Sequence, residues 1–366
     1  MVRIHDKAAL VLRVILSPIS LSFALSIREA ISQRGDLSTL NAISTRFPSI
    51  LGDLASQGGT LLAPTNNALS SYINDAGIAD IGSISEADAR DLLSYHSIPI
   101  SLKSADLTQT GGTIVNTKLM AEAFANLQGQ PNVVYASAFG STGQEQALGN
   151  LQIFSGAGAP ANVTGSDLAW DSGFLHVIDR VLNYPQPCGK TAKVENHSMS
   201  RFHEALAAAN LTTSVDNTPK FTCFAPTDAA FAAAGVDFKS LSPKQLKDTL
   251  NYHSIVGDVA YSTAVEDGKE YQTLLGSPVT VRKAGGKLLI NDVPVERGNV
   301  IMSNGVAHLL GGILTVRATA TSSAKGASQS SQISTKNSAT GLKIGGRIAG
   351  VLSGVIISMS SGMLAL

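Results

Sequence analysis

Apolar positions along the chain follow two different periods. From Ala87 to His96, Leu92, Leu93 and His96 fall on one helical face, and from Lys244 to His253 so do Leu246, Leu250 and His253. Pro243, after Leu241-Ser242, suits a first helical turn, and Ser85 with Asp88 three residues on resembles a capping box. Elsewhere the apolar residues come in short runs bounded by Gly and Pro, the pattern of strands. Thr60-Leu61-Leu62 and Phe221-Thr222-Cys223-Phe224 both run into Ala-Pro-Thr. Proline halts the ladder there, and Thr65 or Thr227 is placed to cap the helix that follows. Tyr271–Leu275, Val279–Arg282 and Leu288–Ile290 read as strands, with Gly285-Gly286 as a hairpin turn. Phe174 to Leu182 and Val306 to Val316 read as apolar strands entered through a Gly turn. Helices first and strands later is an α+β arrangement.

The pattern occurs twice. Leu61-Leu62-Ala63-Pro64-Thr65-Asn66 returns as Cys223-Phe224-Ala225-Pro226-Thr227-Asp228, and Tyr95-His96-Ser97-Ile98 as Tyr252-His253-Ser254-Ile255. Ser172-Gly173-Phe174-Leu175-His176 returns as Asn304-Gly305-Val306-Ala307-His308. The first two blocks recur about 160 residues on, the third only about 130, so the first copy carries an insertion of roughly 25 residues. Its expected home is Leu119 to Thr164. A repeat this long is a duplicated domain, with boundaries expected at 27–182 and 183–317.

Charge narrows the function classes. Lys+Arg is 27 and Asp+Glu is 27, a net charge of zero, which excludes a protein built to neutralise nucleic-acid phosphates. Charged residues are 15%, against roughly 25% in an ordinary soluble domain, so the polar surface rests on Ser, Thr, Asn and Gln. That composition suits a wall or matrix protein carrying sugars. The 44% of hydrophobic residues is enough for packed cores.

Both ends read as addresses. Residues 1–26 are expected to be a secretory signal: Arg3 and Lys7, an apolar run from Ala8 to Leu16, then Ser22-Phe23-Ala24 or Ala24-Leu25-Ser26 as cleavage site. At the other end Ile348 to Leu366 is uncharged and apolar, preceded by a polar spacer and by Asn337-Ser338-Ala339. That order is a GPI signal, with Asn337 or Ser338 as the attachment residue and 339–366 removed. The alternative is a retained transmembrane helix. Residues 318–338, rich in Ser and Thr, are expected to form a stalk.

The Ala-Pro-Thr box, the Tyr-His motif and the Asn-Gly-Val-x-His box, in this order and twice over, resemble the fasciclin domain family. The resemblance spans roughly Ser26–Leu182 and Tyr184–Arg317. It implies a β-wedge or sandwich with helices packed around it, and adhesion or matrix binding without catalysis or cofactor. Partners would be cell-surface or wall and matrix proteins or glycans, with membrane attachment through the lipid anchor or a C-terminal helix. Scarcity of Pro favours the fungal surface type over plant arabinogalactan members. Two departures stand out: Ser172 replaces the usual Asn of the third box, and Asn299-Val300-Ile301 lacks the acid of the Asp-Ile-Met integrin motif of animal members. Rival readings are a vacuolar-membrane protein of fusion or trafficking and a secreted polysaccharide-active enzyme, which would need an acidic pair.

Candidate residues follow. His96, His253, His176 and His308 lie in apolar surroundings without metal-ligand spacing, the pattern of buried, hydrogen-bonded histidines. With Tyr95 and Tyr252 they are candidates for a structural or partner-binding role. Arg34-Gly35-Asp36 spells an integrin tripeptide, but Asp36 is expected to cap a helix over Leu37 to Phe47. Asn162, Asn196 and Asn210 head N-glycosylation sequons. Cys188 and Cys223 could form a disulfide or stand as separate thiols. Gly189-Lys190-Thr191 lacks the upstream Gly of a phosphate loop, and no catalytic or metal motif is expected.

Overall fold

The computed structural model describes residues 25–138, 150–156, 159–194 and 198–316. The signal segment to residue 24, Asn196, the stalk, the tail and Asn337 and Ser338 lie outside the described residues.

The first half contributes β1 (Gly59–Pro64), β2 (Ser97–Ile98), β3 (Thr113–Asn116), β4 (Val133–Ser137), β5 (Gln152–Phe154), β6 (Ala161–Trp170) and β7 (Gly173–Ile178). They pair in the order β2-β1-β7-β6-β5-β4-β3. The second half contributes β8 (Phe221–Pro226), β9 (Ser254–Val256), β10 (Glu270–Gln272), β11 (Pro278–Ala284), β12 (Lys287–Ile290), β13 (Val293–Met302) and β14 (Gly305–Leu310), in the same order reversed on the page: β10-β11-β12-β13-β14-β8-β9. The two halves are thus one topology twice, two barrel-like sheets with helices packed around them, α+β as expected.

In each copy the Ala-Pro-Thr strand lies parallel to the third-box strand, β1 on β7 and β8 on β14. Gly173 and Gly305 make that approach possible, because a Cβ at either would collide with the carbonyl oxygen of Gly59 or Phe221. The strand before the box, β6 or β13, carries register shifts at matching places, Val163/Gly165 and Gly165/Leu168 in one, Val295/Arg297 and Arg297/Val300 in the other. Such bulges bend a strand and increase its twist, which helps to close the sheet around its core.

Local chemistry explains the helices. Thr65 Oγ1 accepts from Ala68 N (3.2 Å) and Thr227 Oγ1 from Ala230 N (3.1 Å), so both Ala-Pro-Thr boxes cap a helix. Ser85 and Ser242 cap Glu86–Tyr95 and Pro243–Tyr252 in the same way. Gly285 and Gly286 both have positive φ, as the tight β11–β12 turn demands.

Three expectations need correction. Asp36 caps nothing: its carboxylate pairs with Arg34 (2.6 Å), and Thr39 N at the head of the helix Ser38–Arg46 donates to Asn66 Oδ1 instead (2.9 Å). The apolar strands end at Ile178 and Leu310, earlier than hydropathy suggests, because the next residues leave the sheet to cross the helices. The strand from Tyr271 stops at Gln272, before a turn at Gly276 with φ +87. The extra residues of the first copy lie in and beside the expected stretch Leu119 to Thr164, in the connections from β3 to β4, β4 to β5 and β5 to β6, of which 117–132 answers to 273–277 in the second copy.

The first of these connections joins the two halves. Asn126 N donates to Ser303 O (2.7 Å) and its amide to Asn217 O, while the Asn132 amide bridges Phe124 O (2.6 Å) and Met302 O (3.1 Å). Beside it Val133, Tyr135 and Phe154 of the first domain pack with Ile301 of the second. Residues 25–316 therefore form a single body.

Candidate functional site

The four repeated histidines occupy equivalent places and are all buried. His96 ends its helix with Nδ1 on Leu92 O (2.7 Å), and its Nε2 accepts from Leu182 N (3.0 Å). His253 does the same, with Nδ1 on Thr249 O (2.8 Å) and Nε2 accepting from Leu314 N (3.0 Å). Each ring braces a helix C-terminus to the segment that leaves the sheet. Accepting from an amide requires a neutral Nε2, and burial holds both rings neutral, with pKa values lowered to about 4. His308 is lowered to about 4 by burial as well, with Nε2 on Ala260 O (2.9 Å). His176 is lowered less, its Nε2 on Leu102 O and its Nδ1 accepting from Asp167 N. The bonds these rings make hold the chain in place. Tyr95 and Tyr252 are buried beside them and bond Val133 O and Pro278 O.

One acid escaped notice in the sequence. Asp167, the counterpart of Asn299, stands in the second bulge of β6, and both residues have positive φ (58° and 55°). Asp167 accepts from Ser104 N (2.7 Å) and Ser104 Oγ (2.5 Å), as Asn299 bonds Ser262. The position is a turn clasp in both copies, and the acid is spent on it. Asn304 of the third box gives its amide to Val215 O (2.7 Å) and Thr218 O (2.8 Å), tying the box to the neighbouring helix Thr212–Asn217; Ser172 is exposed.

The sequons differ. Asn210 is exposed in a left-handed turn after the helix Ser200–Ala208. Asn162 is half-buried, with its Nδ2 on Asp179 (2.7 Å) and its Oδ1 accepting from Gln152. Cys188 and Cys223 are free, buried thiols in one core, where burial first and the adjoining Cys188 second push the Cys223 thiol up. Among the described residues no group of three or more His, Cys, Asp and Glu could hold a metal, and no helix is long and apolar enough to cross a membrane.

Among the described residues, cavities open on the helical sides of both domains. In the first domain a cleft of about 460 Å³ is polar, lined by Asn67, Ser71, Asp75, Asp179, Arg180 and Asn183 with Tyr72. In the second a cavity of about 420 Å³ is apolar, with Tyr252 and His253 in its wall.

Known proteins share this arrangement. The Fasciclin domain model matches residues 35–185 and again 197–316. A fasciclin-like arabinogalactan protein of Arthroderma benhamiae is 27% identical over 297 residues, 81% of this chain and 68% of that one. The fasciclin-like arabinogalactan protein elcF of Phaeosphaeria nodorum is 27% identical over 298 residues, 81% and 90%. Human periostin is 26% identical over 155 residues, 42% of this chain and 18% of its own. A solved FAS1 domain pair of the insect cell adhesion molecule Fasciclin I covers 77% of this chain and 98% of its own, at 20% identity and a TM-score of 0.37. Matched over most of its length, the chain belongs to the fasciclin-domain family, with two copies in tandem.

Proposed function

We propose that the protein is a non-catalytic adhesion or binding protein of the cell surface or matrix, displaying two fasciclin domains in tandem. The observation that carries this reading is the family match over both copies. The use of the repeated polar residues for packing supports it: the histidines, Asn304 and Asp167 are committed to internal bonds. Partners would be surface or matrix proteins or glycans, met by the exposed faces. Secretion, glycosylation at the exposed Asn210 and a GPI lipid at Asn337 or Ser338 complete the proposal. Cleavage after Ala24 suits the fold best, because Ser26 caps the helix Ile27–Ser32 with Glu29, and Leu25 O accepts from Asp171 N.

The test is cell-to-cell or cell-to-matrix attachment in cells with and without the full chain, followed by treatment with phosphatidylinositol-specific phospholipase C. Attachment should fall without the protein, and the enzyme should release it. Unchanged attachment removes the adhesion reading. Retention of the protein while a known GPI marker leaves removes the anchor.

A further inference from the structure

The apolar cavity of the second domain and the polar cleft of the first share part of their lining, Ile313 and Thr315 in one and Val181 and Asn183 in the other, and the contrast between them lies in two residues and one helical turn. In the first domain the helix Asn66–Asp75 continues past Tyr72; in the second the matching helix Asp228–Ala234 stops at Ala234, the counterpart of Tyr72, because Gly235 turns left-handed (φ +61). Tyr184, which follows the His96-braced segment, stacks on Tyr95 (ring centroids 6.2 Å apart) and Phe124 (4.1 Å); its counterpart after the His253 brace is Val316. Tyr184 also lies within electrostatic range of Tyr72, Asp88 and Asp91. The Tyr184 ring therefore covers Tyr95 in the first domain, and Tyr72 stands beside it in the lining of the polar cleft. Where both are missing, Phe202, Phe231, Phe238, Leu246, Ile313 and Val316 line about 420 Å³ of space, with Gln245 and Asp248, the counterparts of Asp88 and Asp91, also in its lining. That volume lies within the roughly 300–1,000 Å³ range of small-molecule pockets.

We infer that the second domain binds a small neutral aromatic molecule, a phenol of two or three rings, at the place where Tyr184 stacks in the first. The duplicate domain states the chemistry of the occupant. Its own plug is aromatic with a hydroxyl near two acids, so a free phenol can lay its rings against Phe231, Phe238 and Leu246 and point its hydroxyl at Asp248, beside the bond that this carboxylate accepts from Lys244 Nζ (2.5 Å). A charged ligand would lose its hydration against apolar walls and is disfavoured. The inference is independent of the adhesion reading, because it concerns a cavity and not the outer faces.

The experiment titrates the purified full chain with 2-naphthol and follows ligand fluorescence. Saturable binding of one molecule per chain is expected, and the Ala234→Tyr, Val316→Tyr double variant should bind at least tenfold more weakly. Folding of the variant is checked by its thermal transition. Should it not fold, methyl NMR of the unaltered protein decides. The Leu246, Ile313 and Val316 methyls are expected to shift on adding 2-naphthol, while that of Val181, the counterpart of Ile313, stays. Non-saturable binding, equal affinity in the folded double variant, shifts centred elsewhere, or tighter binding of dodecanoate than of 2-naphthol at the same site would overturn the inference.

Discussion

The two domains share a sheet order, two bulges and a histidine brace, yet they face solvent differently at the same place. Beside its brace the first domain has tyrosine rings and a polar cleft; the second has a shortened helix and an apolar hollow. The difference teaches where a duplicated domain is free to diverge. The brace cannot change without leaving an amide unpaired in the core, whereas the side chains laid over it can be exchanged at small cost. The insertion shows the same freedom: connection 117–132 of the first domain has become the clamp on the second, while the shorter 273–277 makes no such contact among those described.

Acid should separate the domains most. His253 and His308 of the second domain and His96 of the first are held to about 4, against an ordinary value near 6.5. Above 6.5 both folded and unfolded chains carry them neutral and stability is complete. As pH falls from 6.5 to 4 the unfolded chain takes up protons that the folded chain refuses. Each ring then costs about 3 kcal/mol, and below 4 the loss levels off. With two such rings against one, the second domain should be the more acid-sensitive. Trp170, the single tryptophan, reports on the first domain, and circular dichroism reports on both. At pH 4.5 the dichroism should change at lower urea than the tryptophan fluorescence. Coincident curves at pH 7 and 4.5 would break the comparison.

Substitutions sharpen it on a smaller scale. Asn304→Ala removes two buried bonds and should cost about 2–3 kcal/mol, whereas Ser172→Ala at the matching exposed position should stay within about 0.5 kcal/mol. Urea midpoints of the two variants measure the contrast. Asn132→Ala strips the clamp of its bridge to Met302 and should cost about 2 kcal/mol. Limited proteolysis should then cut between the domains sooner than in the unaltered chain. The smallest effect falls where the domains agree. Thr65→Ala and Thr227→Ala each lose one cap and should cost about 1 kcal/mol, equally in both copies, as read from thermal midpoints.

Much of this was legible in the residues because the interactions involved are short-ranged. The threonine caps, the serine caps and the Gly285-Gly286 turn are settled within four residues, so their spelling is enough. The repeat identified two domains because three separated blocks agreed in order. The misreading of Asp36 shows the limit: Asp36 pairs with Arg34 two residues away, and the Thr39 amide it was expected to cap goes to Asn66, which only the fold brings there. Hydropathy likewise ran the third-box strands past Ile178 and Leu310, because a residue buried beneath a helix looks the same as one buried in a sheet.

The amino-acid sequence by itself determined the duplication and the order of elements in each copy, and marked its repeated histidines as buried and hydrogen-bonded, since periodicity and local caps follow from chemistry along the backbone. Only the tertiary structure decided that β1 lies parallel to β7, that Asn132 reaches Met302, and that Val316 lines a cavity where its counterpart Tyr184 stacks on Tyr95. These depend on residues far apart in the chain meeting in space. A hollow in particular comes from side chains that are absent, and it becomes visible only when the neighbours that would have touched them are in place.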